Sequence, residues 1–435
     1  MNKNPISCDL LIIGAGVAGT AAALFSAPKG ISTAVVGIAS QLRFASGLLD
    51  LLGVHPVTGK SIRTDPWAAI RSMDSAMPKH PYARIHTDVI RSAFAEYMAA
   101  LAEAGLHYRF HPNENTMVMT SVGTFKTTYA VPAGMWPAVA VFSEKRPCLI
   151  VDFEGFKGFS ANHCSCSMAK HHPIKTARIS ISSLPGDFYP ESIAREFESA
   201  EFRSHVVRSI RPHLDGIAAV GLPAVLGVAE SEKVRMDLEQ QLAVPVFEIP
   251  TLPPSVPGLR LETALEKQMS KWGVLSLLQQ KVLSAQYLPG GGFQCRIGRS
   301  EPEITVHSQG VLLATGRFFG KGLAADRKGL RETVLNLPVF QPESRNRWHH
   351  QDLFHPEGHP INQAGLEVDN DFHPLGTNGK PVYPMLFAAG GILAHQDWMR
   401  MKCGTGMSLA TAYTAVNSFL KLRPRKNTVP TGDMQ

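Results

Sequence analysis

The chain opens on an apolar run, Leu10-Leu11-Ile12-Ile13, preceded by Cys8 and Asp9 and followed at once by Gly14-Ala15-Gly16-Val17-Ala18-Gly19. A short continuous apolar run that ends in glycine predicts a buried strand. Residues 20–29 are alanine-rich and apolar and stop at Gly30, which predicts a helix with a glycine end. Residues 32–36 are β-branched and predict a second strand. The three pieces make a β-α-β unit. Further on, Val89, Ile90, Phe94, Met98 and Leu101 fall at helical spacing and predict a helix over 88–105. Residues 116–131, broken at Gly123, predict strands of a small sheet.

From Pro147 the alternation resumes. Strands are predicted over 148–151, 177–182, 217–222 and 244–249, with a helix over 160–170 and helical stretches between the later strands. This predicts an inserted α/β domain over 145–255, closed by the proline-rich run 250–258. A helix follows over 259–272, then strand pieces over 281–306 that turn at Gly290-Gly291-Gly292. An apolar strand ends in Ala314-Thr315-Gly316, and another ends in Gly390-Gly391. Cys403-Gly404-Thr405-Gly406 leads into a last helix over 407–420. The predicted core is therefore discontinuous, 1–144 plus 256–422, and the basic, polar stretch 423–435 is expected to be a disordered tail. The fold class that follows is α/β, a Rossmann-like core of the FAD/NAD(P)-binding type with an inserted α/β domain.

Composition narrows the class. A chain of 435 residues with 44% hydrophobic and 18% charged residues suits a globular enzyme large enough to fold without disulfides. Its six cysteines show no secreted-framework spacing, which suggests a reducing cytoplasm. They form no C-x-x-C pair, so no iron–sulfur cluster and no zinc signature is expected. The formal charge of +7 describes a mildly basic surface, and nothing resembles a nucleic-acid motif. No signal peptide and no apolar run long enough to span a bilayer are read, so membrane association is expected only through a surface or a partner.

The first turn carries the most specific chemistry. Gly14 allows a tight strand-to-helix turn, Gly16 lets backbone N–H groups approach a phosphate, and Gly19 lets the helix pack on the strand. The helix N-terminus favours the phosphate charge. In this strand–turn–helix context the G-x-G-x-x-G pattern predicts a bound nucleotide phosphate. The acid that commonly ends the second strand and binds an adenosine ribose is missing, since its place falls at Gly37.

The glycine turns separated by long insertions resemble those of flavoproteins with two dinucleotide-binding folds. In such proteins the first turn, an Ala-Thr-Gly strand end and a late strand–glycine–helix unit converge on the flavin. That resemblance assigns flavin contacts to Gly14, Ala15, Gly16, Gly19, Ser46, Gly47, Thr315, Gly316, Gly390, Gly391, Gly404, Thr405 and Gly406. The acid that would hold the ribityl chain after Gly390 is replaced by Gly391. More specific stretches are Phe44-Ala45-Ser46-Gly47-Leu48-Leu49-Asp50, His80-Pro81-Tyr82, residues 252–261, residues 314–323 and residues 327–335. Together, and in order, they resemble the B-subunit family of anaerobic glycerol-3-phosphate dehydrogenase over nearly the whole chain. The resemblance implies oxidation of sn-glycerol 3-phosphate to dihydroxyacetone phosphate, with electrons passed to a quinone. It also implies a catalytic A-type flavoprotein partner and an iron–sulfur C-type partner that docks the pair at the inner membrane from the cytoplasm. The family favours FMN, as do the two missing acids, while the fold by itself suggests FAD.

Such a reaction needs a base and cations for a phosphate. His80 and His55 are the candidate bases, although a lone histidine is more often a packing or surface residue. Arg260, Arg317 and Arg327 are the candidate phosphate clamps. His349, His350, His355 and His359 match no established ligand spacing, so no metal site is expected. Cys164 and Cys166 read as ordinary thiols. Two alternatives stand beside the dehydrogenase reading. One is a non-catalytic electron-transfer or assembly role, and the other is a flavoprotein dehydrogenase of fumarate-reductase or steroid type.

Overall fold

The computed structural model describes residues 5–168, 170–181 and 186–423, with only the backbone course given for 39–41. Its main sheet has seven strands. The first strand, Ile6–Ile13, lies at the centre between Thr33–Gly37 and Ile304–Leu313, parallel to both. Leu275–Leu278 adds a parallel edge beside Thr33–Gly37. On the other side Phe293–Gly298 and Lys281–Tyr287 run antiparallel, and Leu386–Ala388 pairs in parallel with the end of Ile304–Leu313. Residues 10–13 of the first strand are buried on both faces, as an unbroken apolar run requires. The first helix, Val17–Ser26, packs on this sheet beside the last helix, Gly404–Leu422.

A second sheet of four parallel strands, Val246–Ile249, Ala219–Pro223, Cys148–Phe153 and Ile174–Ile179 in that spatial order, has its own hydrophobic core. That core also draws in Met119, Phe125, Val141 and Phe142, which precede residue 145. The strand expected over 177–182 lies earlier, at Ile174–Ile179. Among residues 423–435 only Arg423 is described, and it is paired with Asp9 at 2.8 Å; the expected tail otherwise lies outside the described residues.

Three elements differ instructively from the sequence reading. The helix expected from residue 259 starts at Val256, inside the proline-rich run. Ser255 caps it by accepting from the Gly258 N–H at 3.1 Å, and Pro257 fits a first turn whose N–H groups need no helical partner. The last helix starts at Gly404 and not at residue 407, so Gly404 and Gly406 lie within its first turn. The helix Pro66–Ala76 has no counterpart in the sequence reading, yet Asp65 caps it by accepting from the Trp67 and Ala68 N–H groups ahead of a proline.

Candidate functional site

Several glycine turns come together at the C-terminal ends of the central strands. Gly14 has φ +117°, and a Cβ there would stand 2.2 Å from the Ala314 carbonyl oxygen, so the first turn and the Ala314–Gly316 strand end are in direct backbone contact. Gly390 has φ +76°, and a Cβ on it would lie 2.6 Å from the Ala18 Cβ on the first helix. Its N–H donates to Thr411 Oγ1 of the last helix at 2.9 Å. Gly391 faces Gly316, with 3.8 Å between a built Cβ and the Gly316 Cα. The first turn, the Ala-Thr-Gly end and the Gly390-Gly391 turn therefore share one crevice, at the strand ends where open α/β sheets bind ligands.

The residues fit a flavin on two observations. The first helix has Gly16 as its N-cap, with no side-chain cap bond and no acid in its first turn, so its initial N–H groups are available to an anion. Two polar atoms around the crevice, Thr315 Oγ1 and Gln396 Oε1, are buried and have no hydrogen-bond partner among the described residues. Buried polar atoms are ordinarily satisfied, so these mark positions that a ligand or water completes.

Ser46 and Gly47 are held by other parts of the chain. Ala45 accepts from Ser255 Oγ at 2.6 Å, Gly47 accepts from Tyr108 Oη at 2.8 Å, and a Cβ on Gly47 would lie 3.0 Å from Pro257. Phe44 meets Phe319 edge to face at 5.8 Å, which joins the segment after the second strand to the loop after Gly316. Gly404 and Gly406 serve packing. A Cβ on Gly404 would lie 2.9 Å from Trp398, and one on Gly406 would lie 2.5 Å from Tyr82 Oη. The Gly406 N–H donates to the Asp50 carbonyl at 2.6 Å, while Tyr82 Oη donates to the Leu51 carbonyl at 2.8 Å. Thr405 is half-buried beside them.

His80-Pro81-Tyr82 is thus a strut that locks residues 50–52 beneath the last helix. His80 is fully buried, and its Nδ1 accepts from the Tyr82 N–H at 3.1 Å. Burial pushes its imidazolium down to about 3, with the nearby His55 and His395 charges acting the same way. A neutral imidazole can accept a proton, but one whose pKa lies this low is a weak base, and the remaining nitrogen of His80, Nε2, is buried with no partner among the described residues. His55 is also buried, with Nδ1 unpartnered among the described residues. Its pKa is lowered by burial and then by Arg63.

The three arginines are separated. Arg260 donates twice to Glu248, at 2.7 and 2.8 Å, and twice to the Gly227 carbonyl. Its guanidinium joins the helix Val256–Lys271 to the second sheet and is spent there, so the clamp expected at Arg260 is corrected to a buried structural pair. Arg317 lies in the crevice wall and donates to the carbonyls of Gly391, Asn362 and Gln396. Burial pushes its pKa down to about 10, partly offset by the Asp397 charge. It organises the turn after Gly390 with four of its five donors engaged, Leu393 taking the fourth. Arg327 is exposed in the loop between two short strands.

One residue escapes the sequence reading. His395 lies four residues beyond Gly391, next to Gln396, and its Nε2 meets Glu367 Oε1 at 2.7 Å. The ring rests on Phe340 at 4.1 Å, and the backbone is left-handed, φ +61°. Burial is the largest influence on its pKa and lowers it, partly countered by Glu367. The only signal in the sequence is a histidine shortly after a cofactor-type turn. Its carboxylate partner lies 28 residues away and is visible only in three dimensions.

Residues 9–407 match the family model described as FAD binding domain. A relative from Halobacterium salinarum, named as the B subunit of a probable anaerobic glycerol-3-phosphate dehydrogenase, is 31% identical over 425 residues, covering 94% of this chain and 97% of the relative. Relatives named as the B subunit of anaerobic glycerol-3-phosphate dehydrogenase from Pectobacterium atrosepticum and Vibrio vulnificus are 30% and 26% identical, covering 95% and 96% of this chain and 98% and 97% of their own lengths. With a crevice suited to a flavin and this similarity along nearly its full length, the chain belongs to the FAD-binding-domain family and, within it, to the B-subunit family of anaerobic glycerol-3-phosphate dehydrogenase.

Proposed function

We propose that this chain is the flavin-holding B-type component of a dehydrogenase that oxidises sn-glycerol 3-phosphate to dihydroxyacetone phosphate and passes the electrons towards a quinone. The observation that carries the reading is the meeting of Gly14, Ala314–Gly316 and Gly390–Gly391 in one crevice of a chain from this family. Gly14, Ala15, Gly16 and Gly19 would hold the flavin phosphate, with Thr315, Gly316, Gly390 and Gly391 beside the rest of the group. A flavin bound there supplies the acceptor for the hydride that leaves the alcohol carbon.

The hydroxyl proton needs a base, and His395 is the stronger candidate, with His55 second. Glu367 orients the His395 ring through Nε2, which leaves Nδ1 to take the proton. Its pKa lies below the ordinary 6.5, so the neutral form predominates at pH 6.5 and the fall in activity on acidification should set in at a lower pH than for an ordinary histidine. We expect His395→Asn to slow flavin reduction by glycerol 3-phosphate at least about 10²-fold with flavin content unchanged. A variant as fast as the wild type would remove His395 from the mechanism. Of the three arginines, Arg327 is the exposed one, and it is the proposed contact for the substrate phosphate.

The bound form we propose is FAD. A Cβ at Gly37 would stand 2.6 Å from the Ala15 nitrogen, so no acid fits at the end of the second strand. Gln279 donates to the Gly37 carbonyl at 2.9 Å, and the adjacent Gln280 has a buried Oε1 with no partner among the described residues. An uncharged acceptor next to the residue bonded to Gly37 supports an adenosine ribose held without an acid, and with it FAD. Denaturing the purified protein and separating the released flavin by chromatography decides between the two; stoichiometric FMN would overturn this choice.

No helix among the described residues is long and apolar enough to cross a membrane. Membrane docking is accordingly proposed to come from an iron–sulfur C-type partner, with an A-type flavoprotein as the second partner. The central test is anaerobic addition of glycerol 3-phosphate to the purified chain, followed by its flavin absorbance. Bleaching is expected. A flavin that stays oxidised here while the complex is active would leave this chain an electron-transfer or assembly component.

A further inference from the structure

Between Trp348 and Ile361 the chain makes a loop whose ends are joined by the Ile361 N–H donating to the Trp348 carbonyl at 3.1 Å. Both residues are buried in a small cluster with Leu330 and Ala364, which anchors the base of the loop. The loop carries four histidines, and they have different roles. His359 accepts from the His350 N–H at 3.1 Å through Nδ1 and lies 3.1 Å from the Leu353 carbonyl through Nε2, so both of its ring nitrogens are engaged in shaping the loop. His349 is exposed and packs edge to face on His359.

The remaining two histidines lie ring to ring, with His350 and His355 centroids 3.8 Å apart and planes 13° apart. Glu357 brings its carboxylate beside them, and one donor atom from each of the three residues falls within 4.8 Å of the others. Two imidazoles and one carboxylate around an open position is the donor set of a borderline divalent cation, most typically zinc. Two ligands on one tetrahedral zinc are about 3.4 Å apart, given zinc–ligand distances near 2.1 Å. Closing the set therefore needs movements of at most about 1.4 Å, within reach of the exposed Glu357 side chain and rotation of two half-buried rings.

We infer that His350, His355 and Glu357 form a surface site for a zinc-like divalent cation, distinct from the flavin crevice. Coordination through either nitrogen of His355 ends the 3.2 Å bond that Nδ1 accepts from the Glu357 N–H, a single weak neutral bond set against two new metal–nitrogen bonds. The neighbouring cation, Arg400, is turned to other partners: it donates to the Pro356 carbonyl and lies 3.8 Å from Asp397. An ion here would pin the loop whose tip holds the exposed Leu353 and Phe354. The linear spacing of these residues matches no familiar ligand pattern, which is why the sequence reading expects no metal; only the closing of the loop on itself brings the donors together.

The test is equilibrium dialysis of the purified, flavin-loaded protein against Zn²⁺. One ion per chain at micromolar free zinc is expected, with His350→Ala and His355→Ala each weakening binding at least about tenfold. His349→Ala should bind as the wild type does. Unchanged flavin absorbance in each variant reports that the fold is intact. Zinc binding equal to the wild type in both His350→Ala and His355→Ala, or no stoichiometric binding below about 100 µM, overturns the site.

Discussion

Arg260 and Arg317 are both cations drawn out of water, and they are compensated differently. Arg260 has a full counter-charge, because Glu248 takes two of its N–H groups where both side chains are nearly inaccessible. Glu248→Gln should therefore cost about 3–5 kcal/mol in denaturant unfolding, since the guanidinium is left charged and unpaired. The KM for glycerol 3-phosphate should not change; a large rise in KM with normal stability would return Arg260 to the substrate. His80 offers a second test at this scale. Its folded pKa of about 3 lies below the ordinary 6.5, so the unfolded chain binds the proton first and stability falls as pH drops below 6.5. The loss reaches at most about 1.4 kcal/mol per pH unit. His80→Asn keeps an acceptor for the Tyr82 N–H and removes the titration, so its stability should fall less between pH 6 and 4 than that of the wild type. Parallel curves would show that His80 does not control acid sensitivity.

Among the elements, the helix Val256–Lys271 does the most to position the site. Ser255 caps it and also donates to the Ala45 carbonyl, so one hydroxyl fixes both a helix end and the segment leading to Ser46 and Gly47. Ser255→Ala should cost about 1–2 kcal/mol, read as a lowered thermal midpoint. If the segment also bears on the flavin, cofactor loss on dilution should quicken in the same variant. An unchanged midpoint would mean that the cap is replaceable. The first helix depends on Gly16 in another way, through the space at its N-terminus. Gly16→Val should yield a folded chain with no flavin, because a side chain there occupies the place of the phosphate. Normal flavin content would sink the phosphate assignment.

At the scale of the molecule, the two large sheets among the described residues each have their own buried core and are tied by the Arg260–Glu248 pair and by the helix after Ser255. All six cysteines are free, and four of them are buried. No two of them are spaced as C-x-x-C, and we propose that the electrons leave through a partner. Expressed without partners, the chain should bind flavin yet fail to reduce a quinone at the rate of the full complex. Quinone reduction at that rate by the isolated chain would show that it needs no partner for electron exit.

The sequence by itself determined the β-α-β start, the alternation that builds both sheets and the glycine turns, because these rest on local rules. A buried strand must be apolar, a turn with positive φ wants glycine, and a helix ends where its periodicity stops. Leu10–Ile13, Gly14 and Gly390 were legible for these reasons. The same local rules misplaced the start of the last helix, since Gly404 and Gly406 are small for the sake of Trp398 and Tyr82, neighbours that belong to distant packing. They also left three roles undecided. Whether an arginine meets a substrate or a carboxylate depends on what lies opposite it, and for Arg260 that was Glu248. Which nitrogen of a histidine is engaged depends on its neighbours, Nδ1 in His80 and Nε2 in His395. The His350–His355 stack likewise exists only because the loop between Trp348 and Ile361 closes on itself. Such roles are relations between residues far apart in the chain, and only the tertiary structure brings them together.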